Sequence, residues 1–323
     1  MTASRQLPLF TLTPKSAADL SARTPLKFAI PFFQAYLYKE GKSDYTVTSF
    51  TSDLSVFADH ADGDTPLGQF NTERLNEFLQ WMEHERGVPC SRKTYARRVT
   101  TLKVFFKWLA DNNYLERDPA FALLQRSGPA PLSLILTDEQ VEACIAVATL
   151  LRLGKKPDAR PELLFRLIVA TGIKKGEAAA LELEHIERAH PKEPMLMIQH
   201  TSAKNVYKER RLALDPAWLA LLDEYRGQYR LDKHLFTCTA RNLEYILEDV
   251  GKGADIPFKV SFEMLRWTCA VRNYAAGIAP SAIRDQLGLS EISWRETFQK
   301  IRRLAGEDIE AYETEDDDEQ GED

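Results

Sequence analysis

No apolar run in the sequence approaches the roughly 18 residues a membrane span needs, and the first 20 residues lack the apolar core of a secretory signal. A cytoplasmic protein with no membrane contact is therefore expected. Cysteine is scarce: Cys90, Cys144, Cys238 and Cys269 lie far apart and form no C-x-x-C pair. That spacing argues against a zinc site and against a disulfide framework, and it leaves four small core residues. Histidine is scarce as well. None of the six lies beyond His234, and none stands in an H-x-x-x-H or H-E-x-x-H arrangement. No metal site and no cofactor are expected. No internal repeat is found, and nothing suggests a fibre or wholesale disorder.

What is present is a chain of 323 residues, long enough for two domains of ordinary size, with 44% hydrophobic residues to furnish a core for each. Its net charge of −6 looks wrong for a nucleic-acid binder. The stretch 307–323, however, holds eleven acidic and no basic residues, and without it 42 basic residues face 37 acidic ones, a charge of +5. A block of that kind is usually a solvated tail. The body of the protein is mildly basic.

Residues 1–24 mix Ser, Thr, Pro and Ala without a period and are taken as a flexible arm. Helical stripes follow: Phe32, Phe33, Tyr36 and Leu37; then Phe50, Leu54 and Phe57; then Leu75, Phe78, Leu79 and Met82, with Asn71 or Thr72 as N-cap. In the fourth, Tyr95, Val99, Leu102, Phe105, Phe106 and Leu109 share one face, and Lys93, Arg97 and Lys107 are expected on the other. Between Ser91 and Trp108 this segment carries six basic residues, among them Arg92, Lys93, Arg97, Lys103 and Lys107, and no acidic one. Such a face suits a phosphate backbone; a merely solvated basic face is the alternative. The helical domain spans 25–127, and the Pro- and Gly-bearing 126–131 breaks the chain, with a linker placed at 128–136.

A second domain, 137–306, begins at Thr137 as N-cap, with Gln140 near capping-box spacing. Pro161 opens a mostly buried helix that stops at Gly172. The runs 195–200 and 210–214 flank a basic tip and read as a β-hairpin. Helices are then expected over 216–229 and 239–250. From Ser261 a largely buried helix runs toward Gly277, Pro280 opens another, and a third carries Ile292, Trp294, Phe298 and Ile301. Arg266 is one basic residue among apolar neighbours.

The spacing of this last stretch resembles the C-terminal motif of the tyrosine recombinases, the phage-integrase family: H-x-L-R-H-T, then L-G-H, then a nucleophilic tyrosine nine residues on. Here it reads Glu263-Met264-Leu265-Arg266-Trp267-Thr268, then Leu287-Gly288-Leu289, then Phe298. Residues 170–177 look like the family's A-T-G-L-R-x-x-E, with Lys174 at the arginine position and Glu177 in place. Lys204 falls near the family's hairpin lysine, with Lys208 as an alternative. The basic fourth helix resembles the last long helix of the family's core-binding domain, ending at Asp118-Pro119. The resemblance, over about 25–304, implies a mainly α fold. A helical, SAM-like core-binding domain would be followed by a helical domain with a small antiparallel β-hairpin or sheet.

In that family a tyrosine attacks a DNA phosphodiester while two arginines clamp the nonbridging oxygens and the hairpin lysine protonates the leaving oxygen. Phe298 offers no oxygen, Lys174 lacks an arginine's fork, and Glu263 and Leu289 replace histidines. The resemblance thus implies a DNA-binding protein that is not an enzyme, serving as an accessory, regulatory or architectural factor. Its phosphate contacts would come from Arg92, Lys93, Arg97, Lys103, Lys107, Lys174, Lys204, Lys208 and Arg266. The alternative is an active site-specific recombinase or type IB-like strand-passing enzyme with relocated catalytic residues; a third reading is a protein-interaction scaffold. The expected partner is double-stranded DNA, with a second copy of the chain or an active recombinase beside it there.

Overall fold

The computed structural model describes residues 13–124, 132–190, 192–200 and 203–307, the side chains of Ala203 and of the expected phosphate contact Lys204 excepted. The break at 126–131 and nearly all of the acidic stretch 307–323 therefore fall outside the described residues. The chain divides into two compact units, Met1–Ala130 and Pro131–Asp323. Among the described residues no helix is long and apolar enough to cross a membrane. The molecule is mainly helical with one small antiparallel sheet.

The first unit is built on four helices, α1 (Leu26–Lys39), α2 (Asp44–Ala61), α3 (Thr72–His84) and α4 (Arg92–Asp111). Ser43, Asn71 and Ser91 cap the last three by accepting the N–H of Thr46, Arg74 and Thr94, which satisfies donors that the first helical turn leaves open. The apolar stripes meet as an aromatic core: the Phe33 ring stands edge-on to Phe105, and Phe57 edge-on to Phe78. Residues 13–24, set aside on composition, are partly packed, since Leu20 is buried in this core. α4 stops well before Asp118-Pro119. Asn113, at φ +59°, takes the left-handed turn that ends it, a conformation asparagine tolerates better than most residues.

Asp53 of α2 is 4% exposed and is held from α4 by the Arg97 Nη2 at 2.9 Å, the Arg98 Nε at 3.2 Å and the Thr101 hydroxyl at 3.1 Å. Two of the six basic residues on α4 thus lock helix to helix. Burial pushes the Asp53 carboxyl upward against the pull of Arg97, Thr101 and Arg98.

The second unit packs α5 (Asp138–Leu153), α6 (Arg160–Thr171), α7 (Lys175–Ala179), α8 (Pro216–Gln228) and α9 (Ala240–Gly253) around one apolar core. α6 lies at its centre, with Leu163, Leu164, Phe165, Leu167 and Ile168 all fully buried. The sheet β1–β2–β3 (Ile186–Glu187, Met195–Ile198, Arg210–Ala213) is antiparallel, and β2 and β3 form the hairpin with Met195 opposite Ala213 and Ile198 opposite Arg210. A short 3-10 segment, Ala203–Lys208, makes its tip. α10 (Phe262–Ala275), α11 (Pro280–Leu287) and α12 (Glu291–Leu304) close a smaller apolar cluster around Ile283, Leu287, Trp294 and Ile301.

Candidate functional site

Two glycine turns bring the motif residues together. α6 ends at Gly172 with φ +62°, and a Cβ there would lie 3.0 Å from the Leu287 side chain and 3.3 Å from the Cys269 sulfur. α11 ends at Gly288 with φ +59°, where a Cβ would meet the Arg210 guanidinium at 2.7 Å. A side chain at either position would be strained and crowded, so both turns need glycine. Arg266, on α10, binds the two turns to each other: its Nη1 donates to the Gly172 carbonyl, and its Nη2 donates to the Leu287 carbonyl at 2.5 Å. Among the described residues no further acceptor is bonded to it, so some of its five N–H donors remain for a ligand. Burial pushes the Arg266 pKa down to about 10, and Glu177 opposes the shift.

In front of Arg266 lies a cavity of about 260 Å³, lined by Lys174, Glu263, Arg266, Leu289 and Thr297 together with Trp267, Ala270 and Leu287. Six of the motif positions, Trp267 and Leu287 among them, thus line one cavity. Lys174 caps α7 from the Gly172 turn and is half-buried. Burial first, then Arg266, and further Lys208 and Arg210, drive its ammonium pKa downward, with Glu177 as the countering charge. Glu263 is exposed, accepts the Trp267 indole N–H at 3.5 Å, and makes no ion pair within 4 Å among the described residues. The cavity therefore has an excess of positive charge at its floor, with an unpaired carboxylate on its wall.

Glu177 does not face that excess alone. Its carboxylate takes both terminal nitrogens of Arg210 and the backbone N–H of Lys174 at 2.8 Å. Burial works to raise its pKa, but the Arg210 hydrogen bonds and charge hold it below the ordinary value. Arg210 also donates to the carbonyls of Gln286 and Lys208. The His200 Nε2, buried without a hydrogen-bond partner among the described residues, stands 3.6 Å from Glu177.

Phe298 is not among the residues lining the cavity. Its ring stacks on Trp294 and meets Tyr274 edge-on, inside the small apolar cluster, and the preceding residue, Thr297, lines the cavity instead. Thr297 donates its hydroxyl proton to the Ser293 carbonyl, as helical threonines commonly do. The Tyr274 hydroxyl donates to Glu307 at 2.5 Å.

Three residues of the site, Arg210, His200 and Thr297, were not singled out by the sequence motifs. Arg210 had a signal in the strand: it alternates with Leu212 on the inward face, while Arg211 points outward. An inward arginine demands a buried carboxylate. His200 and Thr297 had no such signal, because only the tertiary fold brings them to Glu177 and to the cavity.

On α4 the basic residues divide. Arg97, expected on a free phosphate-facing surface, is instead bonded to Asp53, because the buried carboxylate must be neutralised. Lys107 is exposed and pairs with Asp111 at 3.1 Å, a surface contact that is easily exchanged. Arg92 and Lys93 are exposed and Lys103 half-buried, and neither lysine has an ion-pair partner among the described residues. The Lys208 ammonium is bonded to the Asn205 side chain at 2.6 Å. Glu182, Glu184 and His185 form the one group among the described residues with metal-ligand spacing. Lys233 already neutralises Glu182, and the His185 Nδ1 accepts a backbone N–H.

Residues 30–113 match the phage integrase N-terminal SAM-like domain. Over 293 residues, 86% of this chain and 95% of the relative, the sequence is 22% identical to the tyrosine recombinase XerD of Listeria innocua. The fold is that of a lambda integrase dimer bound to a COC' core site, with a TM-score of 0.69 at 14% identity over 89% of this chain and 81% of that one. It is also that of the XerH site-specific recombinase bound to palindromic difH substrate, with a TM-score of 0.67 at 19% identity over 87% and 86%. XerD and XerH are named as recombinases, which are enzymes. They overturn the expectation, drawn from the substitutions at Lys174, Glu263, Leu289 and Phe298, that the chain is not an enzyme.

Proposed function

We propose that this chain, which belongs to the tyrosine recombinase family, is an enzyme of DNA strand exchange that acts on duplex DNA with its catalytic residues partly relocated. The observation that carries this reading is the excess of positive charge at the cavity. There Lys174 and Arg266 face a space of about 260 Å³, and among the described residues no carboxylate is bonded to either side chain. A phosphodiester is the anion that fits such a floor, and Arg266 retains N–H donors for its nonbridging oxygens.

In the reaction a hydroxyl oxygen of the protein attacks phosphorus, the bond to the 5′-oxygen breaks, and that oxygen takes a proton from the Lys174 ammonium and leaves as a 5′-hydroxyl. The protein remains esterified to the 3′-phosphate until the reverse attack by a DNA hydroxyl releases it. Phe298 cannot supply the attacking oxygen. Thr297 brings the only hydroxyl among the residues lining the cavity, and Tyr274 brings a phenol against the Phe298 ring. Glu263, which lines the same cavity as Thr297, is the acceptor for the proton that an attacking hydroxyl must lose. A second copy of the chain on the same duplex supplies the paired strand cleavage that exchange requires.

The test is covalent trapping on a nicked suicide duplex, with the adduct mapped by mass spectrometry. An adduct at Thr297 or Tyr274 that is lost on its substitution supports the reading. Tight duplex binding with no adduct on any suicide duplex containing a cleavable site would refute it.

A further inference from the structure

The hairpin between β2 and β3 ends in two side chains that water should not favour. Val206 is 52% and Tyr207 64% exposed, the Tyr207 hydroxyl has no hydrogen bond among the described residues, and the Lys208 ammonium stands 5.2 Å from the ring centroid. The tip is nonetheless held from behind. The Arg210 Nη1 donates to the Lys208 carbonyl at 2.9 Å, and the His200 N–H donates to the Glu209 carboxylate at 3.0 Å, closing the loop across its base. The same Arg210 holds Glu177, which accepts the Lys174 N–H, so the tip is tied through one side chain to the turn that carries Lys174. An anchored aromatic and a β-branched aliphatic next to a phosphate-binding floor form a wedge rather than a core element.

We infer that Tyr207, backed by Val206, inserts against a base step of the duplex next to the phosphate held by Lys174 and Arg266, and so makes the protein favour DNA that unstacks easily. This rests on the duplex-binding reading above. Partial unstacking is the main cost of such a wedge, so a step that is already weakened should be bound more tightly. Aromatic stacking on the exposed base then adds to the binding, and the cation of Lys208 beside the same ring holds the neighbouring phosphate.

The experiment uses the full chain and two short duplexes of the same length, one perfectly paired and one with a central mismatch carrying 2-aminopurine. The wild type should bind the mismatched duplex about fivefold to tenfold more tightly and raise the 2-aminopurine fluorescence. Tyr207→Ala should bind the perfect duplex within about twofold of wild type with the same salt slope, while losing both the preference and the fluorescence change. Tyr207→Phe should keep both, because the ring and not the hydroxyl is the wedge. Equal affinity of the wild type for the two duplexes, or a preference that survives Tyr207→Ala, would overturn the inference and leave the duplex-binding reading standing. No binding to either duplex would overturn both. The exposure of Tyr207 makes a folding defect in its variants an insufficient explanation, and thermal melts of the three proteins should coincide.

Discussion

The two terminal nitrogens of Arg210 stand 3.0 and 2.9 Å from the two carboxylate oxygens of Glu177, and both side chains are less than a tenth exposed. The pair is closed on itself, since Arg210 also serves two backbone carbonyls and Glu177 also accepts the Lys174 N–H. It therefore acts as scaffold. Lys174 and Arg266 are left with charge to offer a ligand, and the pair fixes the turn from which Lys174 projects.

Removing one member of this pair should leave a buried charge without compensation. Glu177→Ala is expected to lower stability by about 3–5 kcal/mol in denaturant unfolding. A loss below about 1 kcal/mol would mean that water reaches the pair and screens it.

Lys174→Met should weaken duplex binding while raising the melting temperature of the free protein by a few degrees at neutral pH. The folded state holds the Lys174 ammonium at a pKa below the ordinary 10.5. That penalty is fully present below the folded pKa and is relieved as pH rises through it toward 10.5. The stability difference between variant and wild type should shrink over that window. A difference that stays constant from neutral pH to 10.5 would show that the effect is packing and not charge.

The division of labour on α4 is measurable. Lys93→Glu with Lys103→Glu should weaken binding to all duplex sequences and reduce the log–log salt slope by about 0.9 for each phosphate no longer neutralised. Asp53→Ala should instead destabilise the protein by about 3–5 kcal/mol, because Arg97 and Arg98 lose the carboxylate that neutralises them. If the double lysine variant binds as the wild type does, α4 is a solvated face.

Phe298→Tyr should not move the covalent adduct. The ring sits in an apolar cluster between Trp294 and Tyr274, and Phe298 does not line the cavity. The mapped residue is expected to be the same in variant and wild type. A new adduct at position 298 would mean that α12 turns toward the cavity when DNA is bound.

Helical periods and caps were legible in the residues alone. The stripe from Val99 to Leu109 is buried as its spacing requires, Asn71 and Thr137 cap the helices they precede, and the runs 195–200 and 210–214 pair as a hairpin. These features are local, set by a 3.6-residue or two-residue repeat and by side chains that reach only a few positions along the chain. The motif spacing likewise pointed to Lys174, Glu263, Arg266 and Leu289, which line one cavity. Tertiary structure alone decided which charges are already engaged. A basic residue reads the same in sequence whether it meets solvent or a carboxylate from another helix, and only the packing of α2 against α4 pairs Arg97 with Asp53. Position 298 shows the same limit from the other side: a helix turns 100° per residue, and the Phe298 ring packs half-buried against Trp294 and Tyr274 while Thr297 lines the cavity.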